Sequence, residues 1–290
     1  MSNFVDLHCH STASDGTLSP RQVVRLTKES NLSALSLTDH DTIAGIADAA
    51  DEAKKLGIDF LPGIEISCQY PRPGTMHLLG YGIDPDSKVL REMTQKLIGG
   101  RDERNAKVVE ALQKQGVAIS MSEVEDAAHG EVVGRPHIAQ VLMRKGYVNT
   151  VKQAFDKYLG QTGSAYFDKE QLTSRGAIEM IRAAGGIPVL AHPVQLRKEN
   201  FAQLETEVKN LVDFGLGGIE VIHSDHRKAT IAELEELAKR YNLLPTGGSD
   251  FHGSNKPHIA MGMAGTRRIP RKYFDAIVSS LHSQRQAQSN

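Results

Sequence analysis

Nine side chains able to hold a divalent cation recur along the chain: His8, His10, Asp15, His40, Glu65, His77, His192, Asp250 and His252. Each stands at or just past the end of a segment with strand character. They include half of the chain's 12 histidines. The set mixes imidazole with carboxylate and contains no thiolate. That suits Mn²⁺, Fe²⁺, Zn²⁺ or Mg²⁺ and disfavours a structural zinc site built on cysteine. A barrel of parallel strands gathers its strand ends at one mouth. Six imidazoles and three carboxylates meeting there would form a centre for two or three ions, which activates water for hydrolysis.

The spacing of each motif supports this. His8 and His10 are two apart on a strand, so both rings leave one face while Val5, Leu7 and Cys9 leave the other. Asp15 follows in Ser14-Asp15-Gly16, which also reads as a plain turn. In Thr38-Asp39-His40-Asp41, His40 is the ligand candidate, Asp41 the cap of the next helix, and Asp39 a partner orienting a ligand ring. Glu65 closes an apolar run, and a buried glutamate is rare unless paired or metal-bound. His77 lies inside an apolar strand, where a histidine is more often a satisfied core residue. His192 ends a strand that Pro193 stops. Asp250 and His252 share one parity after Gly247 and Gly248, which admit close backbone approach. Any one motif has a bland explanation; the whole series does not. Cys9 and Cys68 fall outside it and read as structural.

The elements that must position these residues alternate. Strand character covers 4–10, 35–40, 60–66, 76–82, 186–192, 218–223 and 243–250. Helical spacing follows Ser19-Pro20 and covers 43–56, 174–184, 204–214 and 231–241. From 85 to 167 the pattern is helical with no strand, carrying an apolar stripe at Val108, Val109 and Leu112. This predicts an α/β barrel of seven strands over 1–90 and 168–285, with a helical insertion over 91–167 covering its mouth.

Composition narrows the class. Hydrophobic residues make up 40% of the 290 positions, which is ordinary for a globular chain. A formal net charge of -1 argues against a duplex-DNA binder with a broad basic face, though not against a grip on one short anion. Two cysteines are too few for a disulfide framework. With no long apolar run and no signal-peptide pattern, a cytoplasmic enzyme without membrane contact or obligate protein partner is expected. The polar stretch 283–290 is expected to fray.

The motifs His8-Cys9-His10-Ser11 with Asp15-Gly16, Thr38-Asp39-His40-Asp41, Glu65-Ile66-Ser67, Ala191-His192-Pro193 and Ser249-Asp250-Phe251-His252 resemble those of the PHP (polymerase and histidinol phosphatase) family. The resemblance implies a distorted seven-stranded β/α barrel with a trinuclear site at the C-terminal ends of its strands; two or three divalent ions are expected, Mn²⁺ ahead of Fe²⁺, Zn²⁺ or Mg²⁺. It implies that Asp250, His8, His10 and Glu65 bind one ion. Glu65 would bridge to a second, held also by His77 and His192. Asp15, His40 and His252 would bind the third. Gly134-Arg135-Pro136-His137-Ile138-Ala139 is similar to the TrpH/YciV-like branch, which includes 3',5'-nucleoside bisphosphate phosphatases and 5'-to-3' exoribonucleases acting on short RNA.

The expected reaction is direct attack on phosphorus by a metal-bridging hydroxide held between Glu65 and Asp250, with no phosphoenzyme. No Gly-x-Ser-x-Gly elbow offers a serine nucleophile. Arg135 before Pro136 opens a helix, so guanidinium and helix N-terminus could cradle a phosphate, with His137 donating to the same oxygens. Alternatively, Arg135 forms an ordinary salt bridge. Arg101 and Arg104 share a helix face and read either as phosphate contacts or as a solvated stripe. His223 ends a strand and is a candidate substrate contact or leaving-group acid. Tyr81 or Phe251 could stack a base. The expected substrate is a small 3',5'-bisphosphorylated nucleotide that loses its 3'-phosphate while Arg135 holds the 5'-phosphate, or the 5' end of a short RNA. Rivals are a histidinol-phosphate-type phosphatase and a non-catalytic module that holds a nucleotide through its metals.

Overall fold

A computed structural model describes residues 2–128, 132–168 and 171–289. The first half of the chain lays down β1 (Phe4–Cys9), α1 (Pro20–Glu29), β2 (Ala34–Leu37), α2 (Ile46–Leu56), β3 (Asp59–Cys68) and β4 (Met76–Tyr81). The helices α3 (Lys88–Lys114), α4 (Met121–Ala128), α5 (Arg135–Arg144) and α6 (Val151–Ala154) follow, the last running into a π-helical turn over Phe155–Leu159. The second half adds α7 (Ser174–Ala183), β5 (Ile187–Leu190), α8 (Phe201–Phe214), β6 (Gly218–Ile222), α9 (Lys228–Arg240), β7 (Leu244–Gly247), β8 (Met263–Ala264), β9 (Arg267–Pro270) and α10 (Lys272–Ser289).

Local chemistry accounts for these boundaries. Ser19 and Gln22 form a reciprocal capping box at the start of α1, with Pro20 in its first turn. Gly57 takes a left-handed φ of 65° and closes α2. Thr173, one residue before the expected Ser174, caps α7 by accepting from the Gly176 amide. Residues 283–289, expected to fray, continue α10.

The strands form one curled sheet in the order β7-β6-β5-β4-β3-β2-β1-β9-β8. Against the expected seven strands, the sheet has nine among the described residues. β8 is too short, and β9 too short and too charged, to show alternation in sequence, yet β9 pairs antiparallel with β1 through Val5 and Ile269. At the other end of β1 the sheet curls back on itself. The Asp250 amide donates to the His8 carbonyl at 2.8 Å, and the His10 amide to the Phe251 carbonyl at 2.9 Å.

A second correction concerns direction. β4 runs antiparallel to both β3 and β5, while β1/β2, β2/β3, β5/β6 and β6/β7 are parallel. The C-terminal ends of the parallel strands define the mouth, so an antiparallel strand brings its beginning there. His77 reaches the mouth because it is the second residue of β4, and not because it ends a strand.

The helix-facing side of the sheet is apolar. Val5, Leu7, Ile64, Ile66, Leu78, Val189, Ile219 and Val221 are fully buried within one large apolar cluster shared with α7, α8, α9 and α10. A second cluster joins the end of α3 to α4, α5 and α6 through Val108, Leu112, Val124, Ile138, Leu142 and Leu159.

Glycine is required where β7 crosses β1. A Cβ on Gly248 would lie 2.2 Å from His8 Cβ and 2.4 Å from its amide nitrogen. Gly248→Ala is therefore expected to destabilise the protein by about 3 kcal/mol through overpacking against backbone. Urea unfolding would check this, and an unchanged midpoint would contradict it.

Candidate metal centre and phosphate pocket

Every one of the nine predicted ligands arrives at the mouth. Glu65 is their hub. Its Oε2 lies 3.3 Å from His8 Nε2, 3.2 Å from His10 Nε2 and 3.1 Å from His40 Nδ1. Its Oε1 lies 2.9 Å from both His77 Nδ1 and His192 Nε2. Asp250 is a second hub, with Oδ1 3.4 Å from His10 Nε2, 3.6 Å from His8 Nε2 and 3.5 Å from His252 Nδ1. Asp15 closes the far side, 3.2 Å from His252 Nε2.

These residues fit a set of divalent ions. Among the described residues, His8 Nε2, both nitrogens of His10, His40 Nδ1 and Glu65 Oε2 are buried atoms without a hydrogen-bond partner. Orphaned buried polar atoms are costly unless something binds them. The ligand atoms fall into small groups lying within 4.8 Å of one another: His10, Asp15, His40 and His252; His8, His10 and Asp250; His8, Glu65 and His192; His40, Glu65 and His77. Imidazole with carboxylate and no thiolate is the donor chemistry of Mn²⁺, Fe²⁺ or Zn²⁺.

Backbone strain concentrates here too. Asp41, His192 and Asp250 have φ values of 57°, 26° and 60° without being glycine. Such conformations cost roughly 1–3 kcal/mol each and cluster at functional sites.

The two neighbouring aspartates do other work than expected. Asp39 accepts from the Ser11 amide and from the Ser11 and Ser14 hydroxyls, so it braces the loop carrying Asp15 rather than orienting a ligand ring. Asp41 does not cap α2, whose N-cap is Gly45. Its Oδ1 accepts from the Ser67 amide, and its Oδ2 takes both Nε and Nη2 of Arg101.

Beside Asp15, His40 and His77 opens a cavity of about 400 Å³, lined also by Arg72, Arg101, Arg104, Arg135, Tyr70 and Tyr166. Arg101 spends two nitrogens on Asp41, so it is neither a solvated stripe nor wholly given to a ligand. Arg104 is buried, its Nε has no partner, and burial together with Arg135 and Arg101 pushes its guanidinium down to about 9. A guanidinium keeps its proton in a protein. Arg104 therefore brings a buried positive charge to the cavity wall. Arg135 packs over the Tyr166 ring at 4.4 Å, donates through Nη2 to the Phe167 carbonyl, and has an orphaned Nε.

His137 lies elsewhere. It lines a separate cleft with Thr17, Gln140 and Asn255, and its Nδ1 accepts from the Gly134 amide at the start of α5. His223 sits behind Asp250, with Nε2 3.4 Å from Oδ2 and Nδ1 accepting from the Asp225 amide at 3.1 Å. Tyr81 and Phe251 are buried, and the Tyr81 hydroxyl donates to the Leu7 carbonyl, so neither is a base platform. The cavity's aromatic rings are Tyr70, Phe155 and Tyr166.

The profile of the PHP domain matches residues 6–221. The chain belongs to the PHP domain family. A 5'-3' exoribonuclease of Haemophilus influenzae is 37% identical over 87% of this chain and 91% of its own length. A phosphoribosyl 1,2-cyclic phosphate 1,2-diphosphodiesterase of Eggerthella lenta is 30% identical over 88% and 97%, and a 3',5'-nucleoside bisphosphate phosphatase of Chromobacterium violaceum 33% over 86% and 87%. A solved structure described as a metal-dependent phosphoesterase, from Bifidobacterium adolescentis, superposes with a TM-score of 0.84 at 28% identity over 96% of both chains. This PHP protein is accordingly a metal-dependent phosphoric ester hydrolase, and a non-catalytic module is set aside.

Sequence reasoning missed several residues of the site. Glu220 is a lone carboxylate in an apolar strand, the same signal that singled out Glu65. It is fully buried; burial alone would raise its carboxyl, but His8 and His223 bring it down to about 2. Lys256 places its Nζ 2.5 Å from Asp250 Oδ2, and nothing in its sequence context announces this. Arg72 and Asp168 pair across the cavity rim at 2.6 Å.

Proposed function

We propose that the protein removes the 3'-phosphate from small 3',5'-bisphosphorylated nucleotides, and processes short oligoribonucleotides from the 5' end at the same site. The observation that carries this is one cavity with a cation-binding cluster of imidazoles and carboxylates on one wall, which could receive a phosphate through bound ions, and the Arg101, Arg104 and Arg135 group on another. A substrate with two phosphates a nucleoside apart has an anion for each wall.

His8, His10, Asp15, His40, Glu65, His77, His192, Asp250 and His252 would hold two or three divalent ions, most readily Mn²⁺. Bound there, the ions would supply an activated water and neutralise charge on the reacting phosphate. Arg135 and Arg104 hold the non-reacting 5'-phosphate with charge-assisted bonds in a buried setting. Because His223 Nδ1 accepts from the Asp225 amide, the neutral ring carries its proton on Nε2. That proton faces Asp250 Oδ2 at 3.4 Å, so from behind that carboxylate His223 would be a leaving-group acid only by way of Asp250. We read residues 91–167 as the unit that brings the arginines over the mouth of a barrel formed by 1–90 and 168–285, in a cytoplasmic enzyme. Among the described residues no helix is long and apolar enough to cross a membrane.

The test is a phosphate-release screen over adenosine 3',5'-bisphosphate, 3'-AMP, 5'-AMP, histidinol phosphate and short 5'-phosphorylated RNAs, with metal content measured in parallel. The bisphosphate should exceed 3'-AMP in kcat/KM by roughly 100-fold, the effect of a second buried phosphate contact. Equal turnover of 3'-AMP, or preference for histidinol phosphate, would overturn the substrate assignment.

A further inference from the structure

We infer that Glu220 is a positioning residue that sets the tautomer of His8 and the turn at His192, and so fixes where the metal centre forms. This rests on the reading that cations bind at the mouth. Glu220 lies in the middle of β6, fully buried, with its side chain inside the curled sheet. Its Oε1 is 3.0 Å from His8 Nδ1, and its Oε2 accepts from the His192 amide at 2.8 Å.

An ionised carboxylate only accepts. His8 must therefore present Nδ1–H to Glu220, which leaves the lone pair on Nε2. Nε2 is the nitrogen facing Glu65 Oε2 at 3.3 Å and Asp250 Oδ1 at 3.6 Å, and it has no hydrogen-bond partner. A metal-ligating histidine commonly gives its other N–H to a carboxylate, which fixes the ring and raises its basicity.

The second oxygen acts on the backbone. His192 follows β5 with φ 26° and ψ 65°, a left-handed conformation costly for any residue with a Cβ. The bond from its amide to Glu220 offsets that cost and holds the turn. The same turn delivers His192 Nε2 to within 2.9 Å of Glu65 Oε1. One carboxylate thus governs two ligands from two strands.

The glutamine variant separates this role from general packing. An amide has one acceptor and one donor where the carboxylate has two acceptors. If its oxygen serves the His192 amide, its NH₂ faces His8 Nδ1 and drives the His8 proton onto Nε2. If it is reversed, NH₂ opposes the His192 N–H and the turn loses its support.

The first measurement uses the wild-type protein, loaded with zinc and labelled with ¹⁵N-histidine. Long-range ¹H–¹⁵N correlation should show His8 protonated at Nδ1 and zinc-bound at Nε2. A proton on Nε2, or zinc on Nδ1, overturns the inference. The second is zinc affinity of Glu220→Gln by chelator competition, with the unfolding midpoint of the metal-free protein recorded alongside. Affinity should fall by about 10–100-fold in protein that is still folded. A variant whose metal-free midpoint drops while its affinity stays within about threefold of wild type shows a packing role only, and overturns the inference. If Glu220→Gln does not fold, the wild-type spectrum decides alone. Failure of the wild type to take up zinc, manganese or iron would instead overturn the metal-centre reading itself.

Discussion

Replacing Glu65 by glutamine is expected to lower kcat by at least about 10³-fold, equivalent to about 4 kcal/mol of transition-state stabilisation. The size follows from its place. A single carboxylate stands within 2.9–3.3 Å of five imidazole nitrogens drawn from β1, β4 and the segments after β2 and β5. Glutamine keeps the shape but removes the charge and one acceptor. Cations bound there would lose a shared carboxylate, and five rings lose their common counter-charge. Elemental analysis of the variant should show less metal per chain, and phosphate release should fall with it. Dialysing the wild type against a chelator should reproduce the loss, and returning Mn²⁺ should reverse it. A Glu65→Gln protein with full metal content and near-normal turnover would contradict the central role given to this residue.

Arg104→Met is expected to move function and stability in opposite directions. The kcat/KM for a bisphosphorylated nucleotide should fall roughly 30- to 1000-fold, the about 2–4 kcal/mol lost when a buried charged partner is truncated. KM should carry most of this, because a 5'-phosphate held by these arginines would be bound alike in ground and transition states. The ligand-free protein, by contrast, should melt about 2–4 °C higher, corresponding to about 1 kcal/mol. Arg104 is buried beside two like charges, and a well-packed apolar side chain of similar length removes the repulsion. Calorimetry without phosphate and steady-state kinetics provide the two readouts. A lower melting temperature together with unchanged KM would refute the assignment of this cluster to anion binding.

Much of the site was legible in the sequence because metal ligation demands particular residue types, and a parallel strand announces its end. His8 and His10 share parity, His192 is followed by proline, and Asp250 follows two glycines. Each of those signals is local, and all nine residues meet in space. What stayed hidden depends on contacts between distant segments. The reversal of β4 leaves no mark on Met76–Tyr81, since an apolar strand reads alike in both directions. β9 is recognisable only by its pairing with β1. The sequence offered Arg101 as a phosphate contact but could not show Asp41 taking two of its nitrogens, because the left-handed turn at Asp41 aims that carboxylate toward α3. Glu220 was readable in principle: the rule that flagged Glu65 applies equally to a glutamate between Ile219 and Val221.

The joining of β1 to the chain beyond β7 has a consequence for assembly. Residues 8 and 10 are made early and residues 250 and 251 late, yet two peptide hydrogen bonds stitch them together at the mouth. No partial product of synthesis can own a finished centre, because the stitch needs both segments. A complete site for cations therefore exists only once the sheet has closed. Metal that binds only the closed form would stabilise the whole molecule by mass action, in proportion to the logarithm of its concentration above the dissociation constant.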